Sequence, residues 1–400
     1  MKYLSNAMGS LLGVLALGAL AAVLVLVFEG AQRGNEPLSR VSQSPIETPT
    51  PPSSPPPERT QVVETPGPDK WSPPTPLPDR GVRVGSPKKV AVSRRDVAIE
   101  YLYNSALDGD MLVSSARMQG GVAVVAINLN TGRVQRLSRV AKQGIEEPHI
   151  SGRYVTWVES VSEPNQIVRQ LHVFDLVQTR EFTVGQGSHY YYQQDLKDNL
   201  LVWQDYRGQG WGIYGYDLTS AQNLTIVEGP GIYSFPRVCS KEWIIYLQNV
   251  QEDWPGTANL RAHNLATGED IPIGQIPFPQ DVTAGEQHAC DGSRVAWIGI
   301  QMEQSAPIYQ QHVFDLGTRS DRVLNISIRA LPSVLLSGNV LISSVGYDLA
   351  RDVPFSVFSN VLPEQFHIGS KLLFSQDRAV WIVAESDGSQ GIHSAPIIRR

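Results

Sequence analysis

Apolar and polar residues alternate through most of the chain in short runs of five to eight. The clearest example is Asn199-Leu-Leu-Val-Trp203-Gln-Asp205-Tyr-Arg207-Gly-Gln-Gly-Trp211-Gly-Ile-Tyr-Gly-Tyr-Asp217-Leu. Leu200 to Gln204 and Gly212 to Tyr216 read as two strands, and the polar, Gly-rich stretch Asp205 to Gly210 reads as the turn of a hairpin.

The same phrase recurs. Seven segments align without gaps, beginning at Leu107, Ile150, Leu196, Cys239, Cys290, Leu336 and Phe374. Each has an apolar residue, a polar turn and then a strand, closed by Ser114, Trp157, Trp203, Tyr246, Trp297, Ser343 and Trp381 in turn. Those closing positions lie 43, 46, 43, 51, 46 and 38 residues apart. In five units a further strand ends in Asp-Leu or Asn-Leu and a turn, at Asn128, Asp175, Asp217, Asn264 and Asp315. Asp and Asn suit such turns because their side chains cap backbone N–H groups, and Gly takes the positive-φ position. A fourth strand follows, as at Arg133 to Leu137.

Four strands per period of this length predict an all-β fold, a β-propeller with seven four-stranded blades. Six blades remain an alternative, because the sixth unit (Ser333 to Gln365) shows no Asp-Leu-x-x-Gly turn. The aromatic column at Trp157, Trp203, Tyr246, Trp297 and Trp381 predicts the core between blades. The last unit lacks a fourth strand of its own, and Val82–Val84 or Val90–Val92 is expected to supply it and close the ring.

A different pattern fills the N-terminal fifth. After a short segment 1–10, residues 11–28 are 18 uncharged, apolar positions with no polar face. Such a run approaches the roughly 30 Å hydrocarbon core of a bilayer when helical. A cleaved signal peptide is the rival, but its apolar region is usually shorter and Val27 to Ala31 makes a poor cleavage site. The expectation is an uncleaved, single-pass anchor. Lys2 before it and cancelling charges after it place the N-terminus in the cytoplasm and the C-terminal domain outside.

Residues 29–80 read as a disordered linker. Residues 35–80 hold 14 of the 28 prolines, which favours an extended, coreless stalk. At about 3.1 Å per residue it spans up to on the order of 140 Å. Residues 81–400 form the propeller domain.

Composition adds exclusions. A net charge of −6 argues against a nucleic-acid partner, which would normally need a basic face. The two cysteines, Cys239 and Cys290, form no metal-binding spacing. Equivalent positions on successive repeats are usually too far apart for a disulfide, so both read as small buried hydrophobes. With no disulfide framework and this style of anchor, the chain reads as a protein of the bacterial cell envelope.

The units resemble the TolB-like, WD-type propeller repeat, in which a Ser-Pro-Asp-Gly-like turn precedes a strand and a second strand ends in Tyr-x-x-Asp-Leu. The nearest unit is Trp203-Gln-Asp-Tyr-Arg207 with Ile213-Tyr-Gly-Tyr-Asp-Leu218; Ile150 and Cys290 open the next two. The resemblance covers roughly residues 97–398. Every copy lacks the Pro of that turn, and the chain shows no segment like the α/β domain of TolB or a peptidase domain. What the resemblance implies is an extracytoplasmic scaffold or binding domain.

No catalytic motif such as G-x-S-x-G, H-E-x-x-H or a phosphate loop is present. His149, His189 and His288 lie near strands that enter a unit, with Glu147 and Glu286 beside them. Their offsets from the aligned turn differ, so they are not expected to converge on a metal. No catalytic residue and no cofactor is assigned, with Ca²⁺ left open. A ligand site is expected at the channel mouth: Tyr190, Tyr191 and Tyr192 as a stacking surface, with Glu147, Gln194, Arg237 and His288 as polar lining. The function expected is non-catalytic binding of a protein or envelope polymer. The alternative is a hydrolase or lyase acting on glycan or peptide in the channel.

Overall fold

The computed structural model describes residues 82–399 except 93–98, 142–143, 164–165, 186–190, 208–209, 250–256, 278–286, 304–305, 325–333, 344–345, 356–371, 376–377 and 385–389. All of them belong to the second of two compact units, Pro73–Arg400. The apolar run 11–28 and the Pro-rich linker lie outside the described residues. Among the described residues no helix is long and apolar enough to cross a membrane.

The strands form seven antiparallel sheets, six of them consecutive four-stranded meanders. Blade 1 runs from Tyr101 to Arg136, blade 2 from Ile145 to Val184, blade 3 from Tyr191 to Val227 and blade 4 from Ile232 to Pro277. Blade 5 runs from His288 to Leu324, blade 6 from Leu335 to Phe355, and blade 7 begins at Leu372. The first strand of every blade touches the first strands of its two neighbours, from Tyr101–Asp108 round to Leu372–Ser375 and back. These seven inner strands therefore line the axis. The fold is a seven-bladed β-propeller, and the six-bladed alternative falls.

The ring closes as the hydrophobic pattern predicts. Val82–Val84 pairs antiparallel with the last strand, Val82 opposite Arg399 and Val84 opposite Ile397. Lys88–Lys89 adds a second pairing to the same strand at Ser394 and His393. Gln390 then clamps blade 7 to blade 1: its Oε1 accepts from the Leu102 N–H at 2.6 Å and its Nε2 donates to the Leu102 carbonyl at 3.1 Å.

Each blade is a two-faced sheet that cannot bury both faces alone, and radial stacking buries each against the next. Seven apolar clusters correspond to the seven seams between blades. Trp157, Trp203, Tyr246 and Trp381 are among the largest fully buried side chains, and Trp297 is buried beside them. Burying one such side chain stabilises by about 1.5–3 kcal/mol or more.

The Asp/Asn turns behave as their chemistry demands. Asp175 Oδ1 accepts from the N–H groups of Val177 and Gln178 at 2.9 and 3.0 Å, and Asn264 does the same for Ala266 and Thr267. The sixth blade retains the device. Asp348 caps Ala350 and Arg351 at 3.0 and 3.2 Å, so this turn survives there without its glycine. The positive-φ residue four places on is Gly only at Gly132 and Gly268; Thr179, Ala221, Arg319 and Asp352 occupy it elsewhere.

The cysteine reading is overturned. Cys239 and Cys290 form a disulfide with Cα atoms 4.9 Å apart. Equivalent residues of successive blades are distant at the rim of a propeller. At the inner strands the blades converge, and there the spacing suits a disulfide. The Gly292 N–H, donating to the Cys239 carbonyl at 2.9 Å, ties the same point.

Candidate functional site

The entry end of the inner strands was expected to carry the ligand site, and four of those strands share a distortion there. Asn104, Glu147, Gln193 and Phe235 stand at φ 46°, 48°, 49° and 50° in blades 1 to 4. At each the ladder to the second strand slips, which is a β-bulge. A bulge bends the strand and re-aims its side chains. In blades 2 to 4 the bulges lie where neighbouring blades bond to one another.

The Gln194 Nε2 donates to the Glu147 carbonyl at 2.7 Å, joining blade 3 to blade 2. Phe235 N–H donates to Gln193 Oε1 at 2.8 Å, joining blade 4 to blade 3. His288 Nε2 lies 3.0 Å from the Phe235 carbonyl, joining blade 5 to blade 4 and requiring the proton on that nitrogen. Three expected site residues, Glu147, Gln194 and His288, are thus brought into one belt. Tyr191 and Tyr192 pair with Asp205 and Gln204 at the start of the inner strand of blade 3. Their side chains, and Tyr190 and His189 altogether, lie outside the described residues.

One step further along the channel, three blades meet at Asp195. Its carboxylate lies 3.4 Å from His149 Nδ1 and 3.9 Å from the Arg237 guanidinium, and it accepts the Val238 N–H at 2.7 Å. Burial pushes the Asp195 carboxyl up, but the His149 hydrogen bond and the Arg237 charge outweigh it and hold the group below the usual carboxylate range. Such a group contributes stability that is complete above the ordinary value of 3.8 and is lost as pH falls through the folded value. Arg237, expected as channel lining, belongs to this group. Asp195 went unread in the sequence, although it is the acid just before the aligned Leu196.

At the far end of the inner strands the second residue of the aligned turn clasps the next blade. Asp108 accepts from the Gly152 N–H at 2.6 Å, and Ser151 from the Asp198 N–H at 3.2 Å. Asp291 accepts from the Gly338 N–H and pairs with Lys197, whose ammonium also donates to the Cys239 carbonyl at 2.9 Å. Lys197 thereby spans blades 3, 4 and 5 beside the disulfide.

Among the described residues, no three His, Cys, Asp or Glu side chains converge to hold a metal ion. A cavity of about 380 Å³ lies at the ring closure, lined by residues including Lys89, Val92, Leu102, Gln390 and Ile392. The entry face carries exposed apolar groups instead. Tyr101 at 52 % and Tyr206 at 41 % exposure stand at this end, with Ile308. Tyr206 packs edge-on against Trp211 at 5.4 Å across its hairpin.

No family model matches the chain, and no curated protein matches it. Solved structures do. Oligogalacturonate lyase from Vibrio parahaemolyticus is 13 % identical with TM-score 0.53, covering 79 % of this chain and 98 % of that one. An oligogalacturonate lyase in complex with manganese is also 13 % identical at TM-score 0.53, covering 81 % and 97 %. TolB from Acinetobacter baumannii is 12 % identical with TM-score 0.38, covering 69 % and 59 %. At these identities the likeness is one of fold.

Proposed function

We propose that the chain is a membrane-anchored, extracytoplasmic propeller that binds a protein or cell-envelope polymer without chemistry. One observation carries this reading. Of the polar residues expected at the channel mouth, Gln194, His288 and the Glu147 carbonyl are engaged in bonds between blades, while the same face presents Tyr101, Tyr206 and Trp211. Aromatic side chains with a polar edge supply contact area to proteins and sugars alike. The Cys239–Cys290 disulfide supports an oxidising compartment, in which such bonds persist. The apolar run 11–28 supports the anchor.

A second reading is favoured by the His149–Asp195–Arg237 group, which pairs a proton-transfer side chain with a cation near the axis of a fold shared with a lyase. One experiment separates the two. The full-length chain is crosslinked in cells, and its partners are compared with those of a Tyr206→Ala/Trp211→Ala variant. Turnover of envelope glycans and peptides is measured alongside. Loss of a specific partner in the variant, with no turnover, supports binding. Turnover that disappears in His149→Ala would overturn it.

A further inference from the structure

The seams between blades follow two packing rules, and one seam breaks both. The aligned closing residue of a blade points into the seam before it, and it is aromatic at Trp157, Trp203, Tyr246, Trp297 and Trp381. A residue of the third strand points into the seam after it. It is Val124, Leu171, Ile213, Leu260 and Ile392 in blades 1, 2, 3, 4 and 7, each in the apolar cluster of that seam. In blade 5 that position is Gln311. Across the same seam, the closing residue of blade 6 is Ser343.

Gln287, two residues before Ala289 of the same cluster, joins them. Gln287 and Gln311 are 0 % exposed and Ser343 is 6 % exposed. Gln311 Nε2 donates to the Trp297 carbonyl at 2.9 Å. Gln311 Oε1, both amide atoms of Gln287 and Ser343 Oγ have no hydrogen-bond partner, and each is sealed from solvent. A polar atom in that state has given up its hydration without compensation, so the closed seam is penalised four times over. Blade 1 shows a closing serine without that penalty. Its Ser114 is buried too, but it bonds to Ser105 at 2.9 Å and to the Tyr103 carbonyl at 3.0 Å.

The bonds that do cross this seam are gathered at one end. At the far-end turns Asp291 accepts from the Gly338 N–H, and Arg294 donates to the Asn339 side chain and, at 3.4 Å, to the Gly338 carbonyl. Arg322 pairs with Asp352 at 3.1 Å, also at a turn of that end. Other seams are tied toward the entry end as well. Ser115 reaches the Ile145 carbonyl at 3.2 Å, Gln194 the Glu147 carbonyl, His288 the Phe235 carbonyl and Gln390 the backbone of Leu102. Among the described residues, the seam between blades 5 and 6 has no such tie.

We infer that the ring opens at this seam: blade 6 swings away from blade 5 at the entry end, hinged on the Asp291, Arg294, Gly338 and Asn339 contacts. Opening a seam exposes apolar surface in any blade pair. Only here does it also return water to four unpaired polar atoms, so this opening costs least. Sub-global openings of this kind follow the least cohesive boundary in a structure. The device gives the entry face an adjustable aperture while the far end stays fixed. It goes beyond the binding reading and is independent of it.

The test uses the full-length chain and the paired variants Ser343→Cys and Ser114→Cys. Both place a thiol at a buried closing position, and Cys239 and Cys290 are held in their disulfide. Labelling by a maleimide is timed without denaturant. The Ser343→Cys thiol should react about tenfold or more faster than the Ser114→Cys thiol. Adding Gln311→Leu removes an unpaired atom from the closed seam, and should slow labelling at 343 about tenfold while leaving position 114 unchanged. Equal rates at the two positions would mean that both thiols are reached only by global unfolding, and would overturn the assignment. So would a rate at 343 that Gln311→Leu does not slow. If Ser343→Cys does not fold, hydrogen exchange decides. Amides of Val340–Ile342 should exchange about tenfold faster in wild type than in Gln311→Leu, and identical exchange in the two proteins would overturn the opening.

Discussion

Blade 5 meets its two neighbours in opposite ways. Toward blade 4 it presents Trp297, against which Leu260, Ile271 and Phe314 pack, with the Cys239–Cys290 bond at the axis. Gly274 of blade 4 lies so close to that indole that a Cβ there would meet Cζ2 at 2.7 Å. Toward blade 6 it presents Gln311 and Gln287, and meets Ser343. One sheet thus has a face built for cohesion and a face that leaves polar atoms unpaired. The repeat sets where a side chain points, and the residue placed there decides whether the seam is sealed by apolar packing or leaves polar atoms unpaired.

The largest expected effect attacks the cohesive face. Trp297→Ala should cost about 3–5 kcal/mol, read as a lower denaturant midpoint. Opening the disulfide, by Cys239→Ser with Cys290→Ser, should cost about 4 kcal/mol for a separation of 51 residues on a loop-entropy model. A comparable loss under reductant in the wild type, absent in the double variant, checks that the bond is the cause. The opposite sign is expected across blade 5. Gln311→Leu removes a polar atom without a partner and restores the aliphatic side chain of the other blades, so stability should rise by about 1–2 kcal/mol. A fall instead would mean that protein groups or tightly held water satisfy that amide.

Smaller effects sharpen the picture at the turns and the axis. Ala221 holds a positive φ of 56° at an exposed position that Gly fills in blades 1 and 4. Ala221→Gly should gain about 0.5–1 kcal/mol, the relief of left-handed strain less the entropy of Gly. Asp195→Asn should flatten the acid limb of the stability curve. The wild type loses this contribution as pH falls below 3.8 through the lowered folded value, and the variant has no such carboxylate to protonate. Denaturant midpoints between pH 5 and 3 would show it.

The repeat made the ring legible. Seven aligned turns, an aromatic column and an incomplete last unit pointed to seven blades and to closure from the N-terminal side; the strand pairing chose Val82–Val84 over Val90–Val92. The sixth unit was read as lacking the turn, although Asp348-Leu-Ala-Arg-Asp352 matches the glycine-free copies at Asp175, Asp217 and Asp315, whose fifth residues also stand at positive φ. The disulfide was misread because distance between repeats was treated as uniform, although it shrinks toward the axis. Glu147, Gln194 and His288 were expected as channel lining; the structure shows them in cross-blade bonds, which depend on bulges that a period-two pattern does not display. Gln311 and Ser343 stood in the sequence as exceptions to two columns. Only strand pairing shows that both exceptions face the same seam.

The account separates residues that hold the ring from residues that bind. The most direct test is crosslinked partner yield, per folded full-length molecule in cells, for Asp195→Asn and for Tyr206→Ala/Trp211→Ala. The account predicts an unchanged yield for Asp195→Asn despite its altered acid stability, and a lost partner for the aromatic pair. An undiminished yield from the aromatic variant, with loss in Asp195→Asn, would contradict it and place recognition in the channel.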